Sequence, residues 1–180
     1  VSAGGIGELP KVMPEAASFF SNYSAFFMGD PNEKVLYLTF DAGFDNGYHH
    51  PILDTLKAEG VKAAFFVDGN FVRRNPDLCR RIVSEGHLLC NHTLKHPDMT
   101  RFTSFEDYAF QIKEWERLVE ETTGQKASPY YRPPMGRFSE QTLDYDRRLG
   151  IKTIFWSVAY GDWDRNNQPS HELAMEKLTS

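Results

Sequence analysis

Val35-Leu36-Tyr37-Leu38-Thr39-Phe40-Asp41-Ala42-Gly43-Phe44-Asp45-Asn46-Gly47 runs from a continuous apolar stretch into an Asp-x-Gly step that is then repeated. An uninterrupted apolar run of this length reads as a strand covered on both faces, the kind parallel sheets use. An aspartate where such a strand gives out, followed by a glycine that lets the backbone turn, aims a carboxylate into a pocket at the C-terminal edge of an α/β sheet. Asp and Gly are also what ordinary turns use, so the stretch alone leaves Asp41 either catalytic or part of a turn.

The rest of the chain repeats the theme of apolar strand followed by amphipathic helix. Strands are expected at 35–40, 62–67, 87–91, 129–132 and 152–158, and helices at 48–59, 71–85, 104–123, 139–149 and 170–178. Gly60, Gly86, Gly124 and Gly150 stand where glycines close helices, and Ser104, Ser139 and Ser170 where serines cap them. Ahead of these units Phe19, Phe20, Tyr23, Phe26 and Phe27 recur at helical spacing and read as core. Alternation with short connections implies parallel strands, in an open doubly wound sheet or a barrel. Five units fall short of the eight of a complete barrel, and the chain closes on a helix-like segment where the alternation calls for another strand.

Composition narrows the function classes. With 180 residues, 41% apolar, the chain can bury one real core. A net charge of −5 with thinly spread Lys and Arg gives no footprint for nucleic acid, and no apolar run is long enough for a transmembrane segment. Cys79 and Cys90 are too few for a disulfide framework and are expected as buried free thiols.

Active sites of α/β sheets lie beyond the C-terminal strand ends, and the residues just past the strands here are chemically loaded. Asp41 comes after the first strand; His92 and His96 after the third; Arg132 after the fourth, in Arg132-Pro133-Pro134-Met135-Gly136; Asp162 and Trp163 after the fifth. Two histidines four apart on a helical turn would face one metal ion, although the spacing equally describes a structural pair. After two prolines without N–H groups, Met135 and Gly136 carry the first free backbone donors, suited to an oxyanion, or simply close a stiff loop. Arg132 could hold Asp41 by a charge-assisted pair. His49, His50, His87 and His171 fit no constellation and read as surface or structural.

These motifs, in this order, resemble the NodB-type polysaccharide deacetylases, metal-dependent carbohydrate deacetylases on a deformed (β/α) barrel. Thr39-Phe40-Asp41-Ala42-Gly43 is similar to the family's T-F-D-D-G, Asn91-His92-Thr93-Leu94-Lys95-His96-Pro97 to its H-S/T-x-x-H-P, Arg132 to Gly136 to its R-x-P-Y-G, and Gly161-Asp162-Trp163 to its D-x-x-D-W. The stretches around Asp41, Arg132 and Asp162 are closer still to the peptidoglycan deacetylases of the muramic δ-lactam pathway of spore cortex. The resemblance implies Asp41 as general base, Arg132 as its orienting partner, Met135 N–H as oxyanion donor, Asp162 as the carboxylate that tunes a histidine acid, and His92 and His96 as ligands of a divalent metal such as zinc. Asn46 and Trp163 would contact substrate.

Two positions depart from the pattern: Ala42 stands where the family has an aspartate ligand, so metal would be weakly held, and Ala159 replaces the first Asp of the fourth motif. The family's acid histidine, on a later strand, is expected beyond residue 180. The expected product is therefore a deformed barrel, incomplete at its C-terminus, over residues 34–180, with residues 1–33 an extension packed on it. It would deacetylate glycan strands of peptidoglycan outside the bacterial cytoplasm, downstream of an amidase. A glycan-binding pseudoenzyme and a chitooligosaccharide or xylan deacetylase are the rival readings.

Overall fold

Because side chains alternate across a strand, one row of paired residues faces one side of a sheet and the next row the other. The computed structural model, which describes residues 20, 22–30, 32–159, 161–162 and 166–179, obeys this rule throughout its sheet. Its strands are β1 (Ala25–Phe26), β2 (Thr39–Ala42), β3 (Ala64–Val67), β4 (Leu88–Asn91), β5 (Tyr130–Tyr131) and β6 (Lys152–Ile154). All pair in parallel, in the spatial order β1-β6-β5-β4-β3-β2. The helices are α1 (His49–Ala58), α2 (Gly69–Arg74), α3 (Pro76–Ser84), α4 (Phe105–Thr123), α5 (Glu140–Leu149) and α6 (His171–Thr179). The parallel α/β class expected from the alternation is the one observed.

One register row, Ala25-Thr153-Tyr131-Asn91-Val67-Ala42, is buried from end to end. It faces the helices: Val67 packs with Phe71, Val72, Leu78, Ile82 and Trp115, and Asn91 Nδ2 donates to Ile112 O of α4 at 3.2 Å. Fully burying side chains of this size contributes roughly 1.5–3 kcal/mol each, which fixes the strand register. The neighbouring row, Asp41-Phe66-Cys90, points to the other face, where the candidate site lies. Cys79 and Cys90 are free and buried, and burial pushes both thiols up to about 12.

The three serine caps form as expected, each hydroxyl accepting from a backbone N–H three residues on: Asp107, Thr142 and Leu173. At Ser139 the box is closed reciprocally by Thr142 Oγ1, which accepts from Ser139 N–H at 2.8 Å. Gly60, Gly86, Gly124 and Gly150 all take the left-handed conformation that closes a helix.

Four expectations need correction. The strand expected at 35–40 is paired only from Thr39, and Val35, Leu36 and Tyr37 are exposed, Leu36 at 79%; the ladder begins where Ala64 N–H reaches Leu38 O. The helix expected at 71–85 is two helices, because Pro76 has no N–H to give and pushes Asn75 out of the helical region (φ −130°, ψ 53°). Asp68 starts the first of them by accepting from Phe71 N–H at 2.8 Å. The last strand stops at Ile154 rather than 158. The aromatic segment is not simply a helical stripe: residues 25–26 form β1 against β6, with Phe26 exposed, while Phe20 is buried against Phe155 and Leu143. Phe19 lies outside the described residues.

Candidate active site

Arg132 leaves β5 one residue after Tyr131 and so points to the face opposite the helices. Its guanidinium is almost wholly buried, and each nitrogen has a task. Nη1 donates to Asp41 Oδ1 at 2.6 Å, Nε to Ile154 O at 3.1 Å and Nη2 to Phe155 O at 2.9 Å. The plane lies over the Phe66 ring, 4.2 Å from its centroid, with Trp156 at 5.6 Å. A rigid fork held at three corners fixes the direction of its carboxylate partner. Asp41 itself retains 39% side-chain exposure and can be reached from solvent.

His92 is buried at the end of β4. Its Nδ1 lies 2.8 Å from Arg132 O, and a carbonyl only accepts, so the proton is on Nδ1 and Nε2 is left with a bare lone pair. Burial holds this imidazole below the ordinary histidine range, against the opposing pull of Asp41, so the ring is neutral as a metal ligand must be. The His96 ring stands 4.8 Å away, centroid to centroid, nearly edge-on.

The two histidines do not converge through helical pitch, as their spacing suggested. Residues 92–98 form a loop in which Thr93 (φ 71°) and His96 (φ 55°) take the left-handed conformation that costs a side-chain-bearing residue energy. Clamps hold that conformation: Asn91 Oδ1 accepts from Thr93 N–H, Thr93 Oγ1 from His96 N–H, and Gln111 of α4 from both Leu94 and Lys95 N–H. Gly69 approaches so closely that a Cβ there would sit 2.5 Å from Leu94 O.

The residues present supply two imidazole donors for a metal. Among the described residues no three of His, Cys, Asp and Glu come together as a metal site. Ala42, on the helix-facing row, has its methyl in the core cluster with Leu53 and Val67. Two imidazoles fit part of a zinc-type donor set and leave the other positions to water or substrate.

Met135 is the third left-handed residue (φ 58°). Gly136 N–H is turned back to Pro133 O, so of the two donors expected after the prolines only Met135 N–H remains without a backbone acceptor among the described residues. Asn46 is exposed in the turn before α1, its Oδ1 accepting from Tyr48 N–H at 3.4 Å. Asp162 is exposed, and its carbonyl accepts from Gln168 Nε2 at 2.6 Å. Among the described residues the groups that hold the Arg132 guanidinium are Asp41 and the two β6-side carbonyls, and Asp162 is not one of them. Trp163 lies outside the described residues.

Two further positions belong to the site and carry no motif. Trp156 stacks over Arg132 and would collide with any Cβ on Gly136 at 2.6 Å, thereby joining the two loops. Its signal in the sequence is alternation: Lys152, Ile154 and Trp156 share the face opposite Thr153 and Phe155. Asp68, just past the second expected strand, is buried beside Gly43 and caps α2.

The family model described as polysaccharide deacetylase matches residues 28–154. The peptidoglycan-N-acetylmuramic acid deacetylase PdaA of Bacillus subtilis is 40% identical over 169 residues, which are 94% of this chain and 64% of PdaA. The solved structure of B. subtilis PdaA, a family 4 carbohydrate esterase, superposes with a TM-score of 0.91 at 38% identity, covering 98% of this chain and 74% of that one. A family 4 pseudoenzyme of Bacillus anthracis superposes with a TM-score of 0.78 at 30% identity, covering 86% of this chain and 53% of that one. The chain thus spans just under two thirds of the length of PdaA.

Proposed function

The chain belongs to the polysaccharide deacetylase family, and from that premise we propose that it hydrolyses the acetamide of N-acetylmuramic acid residues in peptidoglycan. The observation that carries the reading is the Arg132–Asp41 pair: an exposed carboxylate aimed by a buried, three-cornered guanidinium, on the face that also carries the bare Nε2 of His92. The similarity to PdaA supports the choice of sugar.

In this reading Asp41 accepts a proton from the water that attacks the acetamide carbon. Arg132 holds the carboxylate with one oxygen occupied and the other free to serve as base. The tetrahedral oxyanion takes a hydrogen bond from Met135 N–H, a donor already fixed by the two prolines before the reaction begins. His92 and His96 would hold a divalent ion, weakly because Ala42 offers no carboxylate, and a bound ion would lend positive charge to that oxygen. Collapse of the intermediate releases acetate, and the departing nitrogen takes up the proton that Asp41 received from the water, to leave as the free amine. Action on cortex glycan would place the protein outside the cytoplasm, after an amidase has cleared the stem peptide. Asp162 as a tuning carboxylate and Asn46 and Trp163 as sugar contacts belong to the same proposal.

Ala42 favours one second reading, a glycan-binding protein without turnover, as the similarity to a B. anthracis pseudoenzyme underlines. Amine release from peptide-stripped glycan strands, set against chitin oligomers, separates the cases. Release from the former supports muramic specificity, release from chitin oligomers alone shifts the substrate to chitooligosaccharide, and binding without release supports the pseudoenzyme.

A further inference from the structure

Asp146 of α5 is a buried carboxylate that the proposed chemistry does not use. It is 2% exposed, has no arginine or lysine partner among the described residues, and accepts two hydroxyl hydrogen bonds: from Tyr108 at 2.6 Å on Oδ1 and from Thr153 at 2.7 Å on Oδ2. Tyr108 and Thr153 are themselves buried, so the three groups form a closed knot between α4, α5 and β6.

The knot's position gives it a consequence at the site. Thr153 is succeeded directly by Ile154 and Phe155, whose carbonyls receive Arg132 Nε and Nη2. The backbone ladder here is short: β5 pairs with β4 through one residue and with β6 through two, and β1 has only two residues. The segment is held on its backbone by Thr153 N–H to Ser24 O at 2.8 Å and Phe155 N–H to Phe26 O at 2.7 Å, and on its side chains by the packing of Phe155 and by Asp146, which grips Thr153 from the helix side.

We propose that Asp146 is a positioning residue: by holding Thr153 it sets the two carbonyls that orient the Arg132 guanidinium, and through it Asp41. Only the kinetic consequence rests on the deacetylase reading; the effect on Arg132 does not.

The test monitors the Arg132 Nε–H resonance in arginine-labelled protein, assigned by its loss in Arg132→Lys. Asp146→Asn and Thr153→Val are compared with Val119→Ala, which opens a cavity in a different core cluster. Exchange of Arg132 Nε–H with water should accelerate at least tenfold in the first two and stay within twofold of the parent in the third. In parallel, kcat of Asp146→Asn should fall about tenfold with KM nearly unchanged. Unchanged protection in Thr153→Val, or equal acceleration in Val119→Ala, overturns the proposal; should Asp146→Asn not fold, Thr153→Val decides alone. Faster exchange without any deacetylation in the parent leaves the positioning intact and removes the reaction assigned to the site.

Discussion

Replacing Arg132 by lysine keeps the charge and discards the fork. One ammonium cannot reach Asp41, Ile154 O and Phe155 O together, so at least one carbonyl, and on geometry both, would be buried without a partner. Each such group costs about 1–3 kcal/mol, and loss of the flat stack on Phe66 costs about 1 kcal/mol more. The ion pair itself adds little, because Asp41 is more than a third exposed and solvent screens it. The sum is about 3–7 kcal/mol, which for a domain of this size lowers Tm by roughly 6–28 °C. Asp41→Asn retains an oxygen acceptor for Nη1 and should cost no more than about 1 kcal/mol. Calorimetric melting of both variants checks this. A loss below about 1 kcal/mol in Arg132→Lys, or equal losses in the two, would refute the view that the carbonyls and not the ion pair hold the guanidinium.

Burial pushes the Asp146 carboxyl from its ordinary 3.8 to about 7, against the lowering by Tyr108 and Thr153. Between about pH 4 and 7 the folded chain therefore holds a proton that the unfolded chain has released, and this group's contribution to stability falls as pH rises, by at most roughly 4 kcal/mol. Urea denaturation across that range should show a downward slope that Asp146→Asn flattens; parallel slopes would contradict the sign. Ala42→Asp should lower metal-free stability, because position 42 is buried in the cluster of Leu53 and Val67; a carboxylate that turns out of that cluster toward His92 and His96 should tighten zinc at least tenfold, about 1.4 kcal/mol. Titration calorimetry that shows unchanged zinc affinity in His92→Ala would count against a metal site there. Gly69→Ala places a methyl against Leu94 O and should cost about 1–3 kcal/mol while shifting the ring resonances of His92 and His96; unshifted rings would show that the loop is not braced by α2.

Much of the fold is legible in the sequence because local signals agree with one another. Glycines at helix ends, serine caps and apolar strands of the right length place five strand-helix units within a few residues of where they stand. The errors arise where tertiary partners decide. Val35 to Tyr37 are apolar enough for a strand, yet pairing starts only where β3 begins opposite Thr39. The 71–85 pattern is amphipathic across Pro76, and periodicity does not register a missing N–H. At the site, strand-end position suffices to gather Asp41, Arg132, His92 and His96. What holds them is invisible in the sequence: the carbonyls behind Arg132 have no side-chain signature, and the left-handed turns at Thr93, His96 and Met135 use residues that do not announce positive φ. Trp156 is hidden by reading as one more apolar residue of a strand.

Asp41, aimed by Arg132, is proposed as the base of an amide hydrolysis, and the chemistry of the whole site depends on that role. It is tested by acetate and free-amine release from peptide-stripped peptidoglycan strands by the parent and by Asp41→Asn, with glycan binding and Tm recorded for both. Release by the parent and a fall of about a hundredfold or more in the variant, with binding and melting nearly unchanged, is the expected result. Release by Asp41→Asn within a few-fold of the parent would show that the base lies elsewhere.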